Sequence, residues 1–380
     1  MSRKPSAPSR LGHHVSRIVF GAGVSYSAAV LGYALLRPLL GNRAGWIELI
    51  DDLEPWGYAP APAIGILGAT LGSSGLAAAG AAATAMFGLR WGHRFLRLSP
   101  ARAATRPPSD LTVMTFNTLA WQREGRDLEA SILEANPDVV GLQEIGPRGA
   151  EYLIGALADR YPHHYVTYSA NSSGAAVLSR FPLRDTVAFR VSPRGHWWQR
   201  MTIDTPAGPI TYVNLHTRIP HIRTTHSQRT LQRPGEIRNH VGLRRIPLEY
   251  HAEGRRDEIR KLLGLLEKIE GPTIIGGDFN MTERCPDHKL MSVRFRDAYR
   301  AVGAGLGHTF PRRGAFPCAF PAPWPILRLD YIWHSEHFAP TWAYRGDAGQ
   351  SDHHPIVVGL RWTEPVSRSG AGVPLAASAV

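Results

Sequence analysis

The chain is short of cysteine. Its 380 residues include only two, Cys285 and Cys318. Two thiols exclude a disulfide framework, and their spacing fits no zinc site. A reducing compartment is the simpler setting. Acidic residues are also scarce: 31 Asp and Glu face 43 Lys and Arg, mostly arginine, for a formal charge of +12. That imbalance points to an anionic partner, either nucleic acid, phospholipid headgroups or a phosphorylated small molecule. The chain shows no internal repeat. Its length suits one large domain or two ordinary ones. A hydrophobic content of 43% is enough for a sizeable core.

Charge is missing altogether from two stretches. The first runs from Ile18 to Leu36, flanked by Arg17 and Arg37. At about 1.5 Å per residue it spans roughly 28 Å, close to a bilayer's hydrocarbon thickness. The upstream Arg3, Lys4, Arg10 and Arg17 also suit a signal peptide, but no small-residue cleavage site follows the apolar core. The second stretch, Ala63 to Leu89, is rich in Ala and Gly and contains Gly68-Ala69-Thr70-Leu71-Gly72. Such small-residue spacing lets two helices approach closely. A buried soluble helix is the alternative; the length and lack of a polar face favour a membrane span.

A domain order follows. Residues 1–17 form a basic cytoplasmic N-terminus, 18–36 a transmembrane helix, 37–62 an extracytoplasmic loop, and 63–89 a second transmembrane helix. Residues 90–109 form a basic linker, suited to anionic lipid or simply to stop-transfer. Arg90, Arg94, Arg97, Arg102 and Arg106 follow the second stretch, while Glu48, Asp51, Asp52 and Glu54 lie in the loop. The positive-inside rule then predicts a multi-pass cell-membrane protein with both ends in the cytoplasm.

Residues 110–363 change character. Strands are predicted at Leu111–Phe116, Asp138–Leu142, Tyr165–Tyr168, Ala175–Leu178, Thr273–Gly276, Leu329–Trp333 and Ile356–Leu360. Helices are predicted from an N-cap at Asp127 to Asn136-Pro137, over Ala150–Arg160, and over Arg255–Ile269. Arg200–Asp204 and Ile210–Asn214 face each other across Pro206-Ala207-Gly208, a hairpin signal. Hairpins mixed with helix-separated strands predict an α/β fold with sheets packed on sheets and helices outside. The tail 364–380 is small and polar and is expected to be disordered.

Polar residues gather at the strand ends. Phe116 leads into Asn117, Leu142 into Gln143-Glu144, Val213 into Asn214-Leu215-His216, and Gly277 into Asp278-Phe279-Asn280. Asp330 lies inside a strand, and Ser351-Asp352-His353-His354-Pro355 precedes the last one. One Asn or Asp at a strand end is usually a turn former. Five or six such sites in one domain suggest a shared site. Oxygen donors dominate it and thiol is absent, which suits a hard divalent cation such as Mg²⁺. Attack of water on a phosphoester needs this set: a cation to neutralise phosphoryl oxygen, a carboxylate to take a proton, and imidazoles to stabilise charge.

In order, the motifs are Thr115-Phe116-Asn117, Leu142-Gln143-Glu144, Ser173-Gly174 to Ser179-Arg180, Asn214-Leu215-His216, Gly277-Asp278-Phe279-Asn280, Leu329-Asp330-Tyr331-Ile332 and Ser351-Asp352-His353. Over Leu111 to Trp362 the chain resembles the endonuclease/exonuclease/phosphatase superfamily, the fold of pancreatic-type deoxyribonuclease. The resemblance implies a four-layer α/β/β/α sandwich and a Mg²⁺-dependent hydrolase, with Mn²⁺ as a possible substitute. Glu144 would be the main metal ligand, with Asn117 beside it and Asp352 close by. Asp278 would position or activate water, and Asn280 would hold that water or the phosphate. His216 would contact the phosphate. His353 would stabilise the transition state or assist the leaving group, oriented by Asp330. Asn171 or Ser173 would also approach the phosphate. His354 stands where the motif varies and takes no role.

Departures from the family bear on substrate. Thr118-Leu119-Ala120 after Asn117, and Ile145 after Glu144, differ from the abasic-site endonuclease pattern. The general pattern is closer to the sphingomyelinase, phosphoinositide-phosphatase and deadenylase branches, and a fold does not choose among them. The segment 217–254 is rich in arginine and histidine and reads either as a basic lid or as a surface insertion. Trp197, Trp198 and Trp324 either stack on a base or lipid, or pack the domain. The expected partner is a phosphoester, nucleic acid or phospholipid headgroup, handled by a membrane-tethered phosphodiesterase. A non-catalytic membrane scaffold is the reading from another class, and the completeness of the motif set argues against it.

Overall fold

The computed structural model describes residues 10–40, 45–97, 106–119, 126–168, 174–193, 195–223, 249–312 and 324–363. The chain divides into two compact units, Met1–Leu96 and Arg97–Val380.

The first unit is helical. It contains α1 (Arg10–Leu40), α2 (Gly45–Gly57), α3 (Ala61–Thr70), α4 (Ser74–Phe87), a π-helical turn over Gly88–Gly92, and α5 (His93–Phe95). Among the described residues only the His14–Leu40 part of α1 is long and apolar enough to cross a membrane, by length and composition. The expected second span is not one helix. It breaks at Leu71–Ser73, where Gly72 takes φ +68° and Ser73 is extended. The left-handed value suits glycine, which has no Cβ to clash. The small residues do bring helices together, but within a hairpin: a Cβ at Gly80 would overlap the Gly65 backbone, and one at Gly68 would overlap Ala77. The expected loop 37–62 is also corrected. Its acidic residues sit on helix α2, where Glu48, Asp51 and Glu54 are buried. Likewise the 90–109 linker begins inside helix, since the π turn and α5 carry the chain to Phe95.

The second unit holds two six-stranded sheets. Its helices are α6 (Arg126–Ala135), α7 (Pro147–Ala156), α8 (Glu253–Leu266), α9 (Pro286–Ser292) and α10 (Ala298–Val302). Its strands are β1 (Leu111–Asn117), β2 (Val139–Gln143), β3 (His163–Thr167), β4 (Ala175–Ser179), β5 (Leu183–Phe189), β6 (Trp198–Thr205), β7 (Gly208–His216), β8 (His221–Arg223), β9 (Glu249–His251), β10 (Thr273–Asp278), β11 (Arg296–Asp297), β12 (Asp330–His334), β13 (Phe338–Arg345) and β14 (Ile356–Trp362). One sheet runs β13-β14-β1-β2-β4-β3 and the other β11-β12-β10-β7-β6-β5; β8 and β9 pair separately.

Three apolar layers hold this unit together. Val113, Val139, Val177 and Val358 of one sheet meet Met201, Ile203, Tyr212 and Ile274 of the other. Outside the first sheet, Leu128 and Ile132 of α6 and Leu153 of α7 cover Phe116, Val140 and Leu178. Outside the second, Ile259, Leu262 and Leu266 of α8 and Met291 of α9 cover Val213, Ile275 and Trp333. This is a mixed α/β unit of two stacked sheets with helices on the outer faces.

Boundaries shift where capping chemistry intervenes. Helix α6 begins at Arg126, so Asp127 lies inside the first turn, where an acid still suits the positive helix end. Helix α7 starts earlier than expected because Pro147 occupies its first turn. The carboxamides Gln143 and Asn214 serve the core. Gln143 Nε2 donates to Asn214 Oδ1 at 2.6 Å, and Asn214 Nδ2 donates to the Leu142 carbonyl at 3.0 Å, tying sheet to sheet. Arginines and histidines between 224 and 248, the expected tail 364–380, and most of the Pro-rich run before Trp324 lie outside the described residues.

Candidate active site

Strand register builds the site. β7 and β10 are parallel with His216 opposite Asp278, and β10 and β12 are antiparallel with Asp278 opposite Asp330. Three ionisable residues therefore stand abreast on neighbouring strands. Gly277 permits the close approach, since a Cβ there would overlap the Leu215 carbonyl. From the facing sheet, β1 ends at Asn117, with Gln143 of β2 alongside and Glu144 next in the chain. The segment before β14 supplies Asp352 and His353.

Asn117 joins the two sheets at the site. Its Nδ2 donates to Glu144 Oε1 at 3.1 Å and to Asp278 Oδ2 at 3.0 Å. His216 Nε2 lies 3.4 Å from Asp278 Oδ2 and 3.7 Å from Glu144 Oε1. Neither ring nitrogen of His216 has a hydrogen-bond partner among the described residues, although the ring is buried. His353 Nδ1 lies 2.8 Å from Asp330 Oδ2, and its Nε2 is 3.8 Å from Asp278 Oδ2. Asn280 sits at the edge: its Nδ2 donates to the Thr217 carbonyl at 2.9 Å and its N–H to Asp278 Oδ1 at 2.9 Å. Asn171 and Ser173 lie outside the described residues.

Two of these residues hold uncommon backbone. Glu144 has φ +52° and Asn280 φ +45°. Left-handed non-glycine residues cost about 1–3 kcal/mol and cluster at working sites. The strain at Asn280 is held from below by buried Arg255, which donates to the Asn280 carbonyl and, through Nε at 2.7 Å, to Asp287.

The charges are coupled. Burial pushes the Asp278 carboxyl up to about 7, with Asp330 adding to the rise and His353 opposing it. Burial alone would lower His353, but Asp330, Asp278 and Asp352 outweigh it and raise the imidazole to about 10. His216 is held well below its usual value by burial, then by His196 and His353. Glu144 and Asp352 are both raised, first by burial. Asp352 and Asp330 add to the rise at Glu144, and Asp330 adds to that at Asp352, so this is a crowded set of negative groups.

Does this set suit a cation? Glu144 and Asp352 are hard oxygen donors, and Asp352 Oδ1 is buried with no hydrogen-bond partner among the described residues. A divalent ion would satisfy both facts. Asp278, Asp330 and His353 also bring ligand atoms within 4.8 Å of one another. That trio is less suited: His353 Nδ1 already binds Asp330, and a protonated imidazole is no ligand.

Several neighbours escaped the sequence reading. His196 stacks on His216 with ring centroids 3.7 Å apart and planes 15° from parallel. Phe310 lies 4.8 Å from the His353 ring. Ser351 Oγ donates to the Asn117 carbonyl at 2.7 Å and accepts from the His353 N–H at 3.1 Å. Ser351 stood in the motif; His196 and Phe310 carried no positional signal. The tryptophans divide: Trp198 is buried and donates to the His216 carbonyl at 2.8 Å, Trp197 lies under Arg190, and Trp324 is exposed. His354 turns away, with Nδ1 3.0 Å from the Gly346 carbonyl.

Comparison with known proteins accords with this geometry. The family model described as "Endonuclease/Exonuclease/phosphatase family" matches residues 114–353. No curated protein matches. Among solved structures, an endonuclease/exonuclease/phosphatase from Bacteroides vulgatus is 17% identical, covering 67% of this chain and 100% of its own, with a TM-score of 0.51. One from Beutenbergia cavernae is 19% identical over 68% of this chain and 74% of its own, with a TM-score of 0.48. The human Nocturnin catalytic domain with bound sulfate anion is 18% identical over 68% and 97%, with a TM-score of 0.46. The matched span covers most of the chain and holds the residues gathered above. The chain belongs to the endonuclease/exonuclease/phosphatase family, whose members are metal-dependent hydrolases of phosphoester bonds.

Proposed function

We propose that this chain is a Mg²⁺-dependent phosphodiesterase, with Mn²⁺ able to substitute, tethered to a membrane by its N-terminal unit. One observation carries the reading. Asn117 bridges Glu144 and Asp278, so a cation-holding carboxylate and a proton-accepting one stand side by side. Glu144, Asn117 and Asp352 would hold the cation, which supplies charge neutralisation at a phosphoryl oxygen.

The chain's own residues do the rest. Asp278, whose affinity for a proton is raised by burial, takes a proton from the attacking water. The water oxygen bonds to phosphorus as the ester P–O bond breaks. His353, kept protonated by Asp330, gives its Nε2 proton to the departing alkoxide. His216 turns an unpartnered ring nitrogen to a phosphoryl oxygen. Asn280 fixes Asp278 through its backbone N–H.

The test is hydrolysis of bis(4-nitrophenyl) phosphate by the detergent-solubilised full chain. Turnover should need Mg²⁺ or Mn²⁺ and stop with chelator. The same preparation, offered plasmid DNA, RNA and phospholipid vesicles, assigns the natural class. A folded chain inert towards all four with either ion would refute the reading.

A further inference from the structure

His216 lacks the device that usually aims a working histidine. Such a ring is oriented by a hydrogen bond from its other nitrogen to a carboxylate or a carbonyl. His353 follows that rule through Asp330. His216 does not: the ring is buried, and neither nitrogen has a hydrogen-bond partner among the described residues. Its Nε2 lies 3.4 Å from Asp278 Oδ2 without forming a hydrogen bond. What the ring has instead is a covered face. His196 lies flat on it, with centroids 3.7 Å apart and planes 15° from parallel.

Strand register brings the two rings together. Gln199 of β6 pairs with Asn214 of β7, so the residues just before β6 draw level with the end of β7. Trp198, from the same segment as His196, donates to the His216 carbonyl at 2.8 Å. One short segment therefore holds the backbone of His216 through Trp198 and its ring through His196. Burial lowers the proton affinity of both imidazoles, so two neutral faces meet rather than two cations. The chain before His196 is tied down in turn. Ser192 Oγ donates to Glu258 Oε1 at 2.7 Å, and Lys261 Nζ to the Val191 carbonyl at 2.7 Å. Glu258 stands on α8 and is 1% exposed. Its Oε2 accepts the Arg218 N–H at 2.8 Å, just past His216. Gly195 lets the backbone lie against this carboxylate, since a Cβ there would come within 2.7 Å of Glu258 Oε1. Glu258 thus pins the chain before one ring and the chain after the other.

We propose that His196 is the positioning residue of His216: its ring face sets the direction in which the His216 nitrogen meets a phosphoryl oxygen. It acts through His216 and not on substrate. The proposal rests on the phosphoryl contact assigned to His216 above. A group displaced by about 1 Å at a reacting centre can cost about 10²-fold in rate, so the stack is a point of leverage.

A double-mutant cycle on the detergent-solubilised full chain tests it, with melting temperature checked on every sample. His196→Leu fills similar space without a flat face, and His196→Phe restores the face without a nitrogen. In Mg²⁺-dependent hydrolysis of bis(4-nitrophenyl) phosphate, His196→Leu should lower kcat about 10- to 10²-fold. His196→Phe should recover most of that loss. His216→Ala alone should cost about 10²-fold, and adding His196→Leu to it less than about twofold more. A full further loss in the His216→Ala chain, or a Phe variant no better than the Leu one, overturns the proposal. A second readout needs no turnover. The same chains, carrying isotope-labelled histidine, are titrated with inorganic phosphate in Mg²⁺ and followed by NMR. The His216 ring signal, identified by its absence from His216→Ala, should respond in wild type and His196→Phe. In His196→Leu it should respond about tenfold more weakly. No response in wild type, or equal affinity in all three, overturns the proposal. A chain inert towards the diester that still shows this His196-dependent response removes the hydrolysis reading and upholds the positioning role.

Discussion

Two adjacent histidines should behave quite differently. His353 bonds Asp330 through Nδ1 and points Nε2 towards Asp278, whereas the His354 ring turns to the Gly346 carbonyl. Replacing His353 with Asn keeps a donor near Nδ1, so the buried Asp330 carboxylate keeps a hydrogen bond although it loses the imidazolium charge. What disappears is the proton at Nε2. With a value raised to about 10, that proton is present in nearly every molecule at pH 7.5. A positioned acid contributes about 10²–10⁴-fold. We therefore expect His353→Asn to lower kcat about 10³-fold, or about 4 kcal/mol at 1.36 kcal/mol per tenfold. His354→Ala removes one ordinary hydrogen bond, costing about 1 kcal/mol of stability and leaving kcat near wild type. The assay is initial-rate hydrolysis of bis(4-nitrophenyl) phosphate, with melting temperature measured on the same samples. Comparable kcat losses in both variants, with both folded, would show that the division of roles is wrong.

Three further outcomes follow from packing. Asp297 is clamped by Arg328 at 2.9 Å and His288 at 3.1 Å. Burial alone would raise its carboxyl, but Arg328 and His288 hold it far below the usual range. Its folded value is depressed, so its stability is present above the unfolded value near 4 and is lost as pH falls further. Asp297→Asn should cost about 3–5 kcal/mol at pH 7 and flatten acid unfolding, read by denaturant melts across pH. Gly80→Ala drives a methyl into the Gly65 backbone and should cost about 1–3 kcal/mol in the N-terminal unit. Circular dichroism should show the loss while hydrolysis persists. Ser351→Ala orphans both the Asn117 carbonyl and the His353 N–H. It should lower kcat about tenfold and melting stability by about 1–3 kcal/mol, with Ser351→Thr recovering part of the rate.

The site was more legible in the sequence than the N-terminal unit was. Each motif ends a strand, and a strand end is a local event: apolar alternation stops and a polar residue follows. Asn117, Glu144, His216 and Asp278 were therefore visible one at a time, and register then brings them together. Gln143 and Asn214 looked the same but bond across the sheets, because tertiary partners decide whether a carboxamide faces core or cleft. His196 had no such mark; its stacking on His216 is a tertiary contact that no local pattern announces. Edge strand β5 was missed because its middle is exposed and polar. In the first unit the acids of α2 read as part of an extracytoplasmic loop. Their arginine partners lie up to 36 residues away, beyond any local pattern.

The most direct test of the catalytic assignment is the rate of Asp278→Asn. Asparagine keeps the shape and can still accept the Asn280 N–H, but cannot take a proton. A neutral group also suits the buried position, since the carboxyl's raised value of about 7 reports a cost of charging it. The expected result is a chain that stays folded, with some stability lost because the new amide NH2 faces the Asn117 Nδ2 donor, and with Mg²⁺-dependent hydrolysis of bis(4-nitrophenyl) phosphate reduced at least about 10²-fold. A folded Asp278→Asn chain that keeps wild-type turnover would contradict the assignment of Asp278 as the proton acceptor.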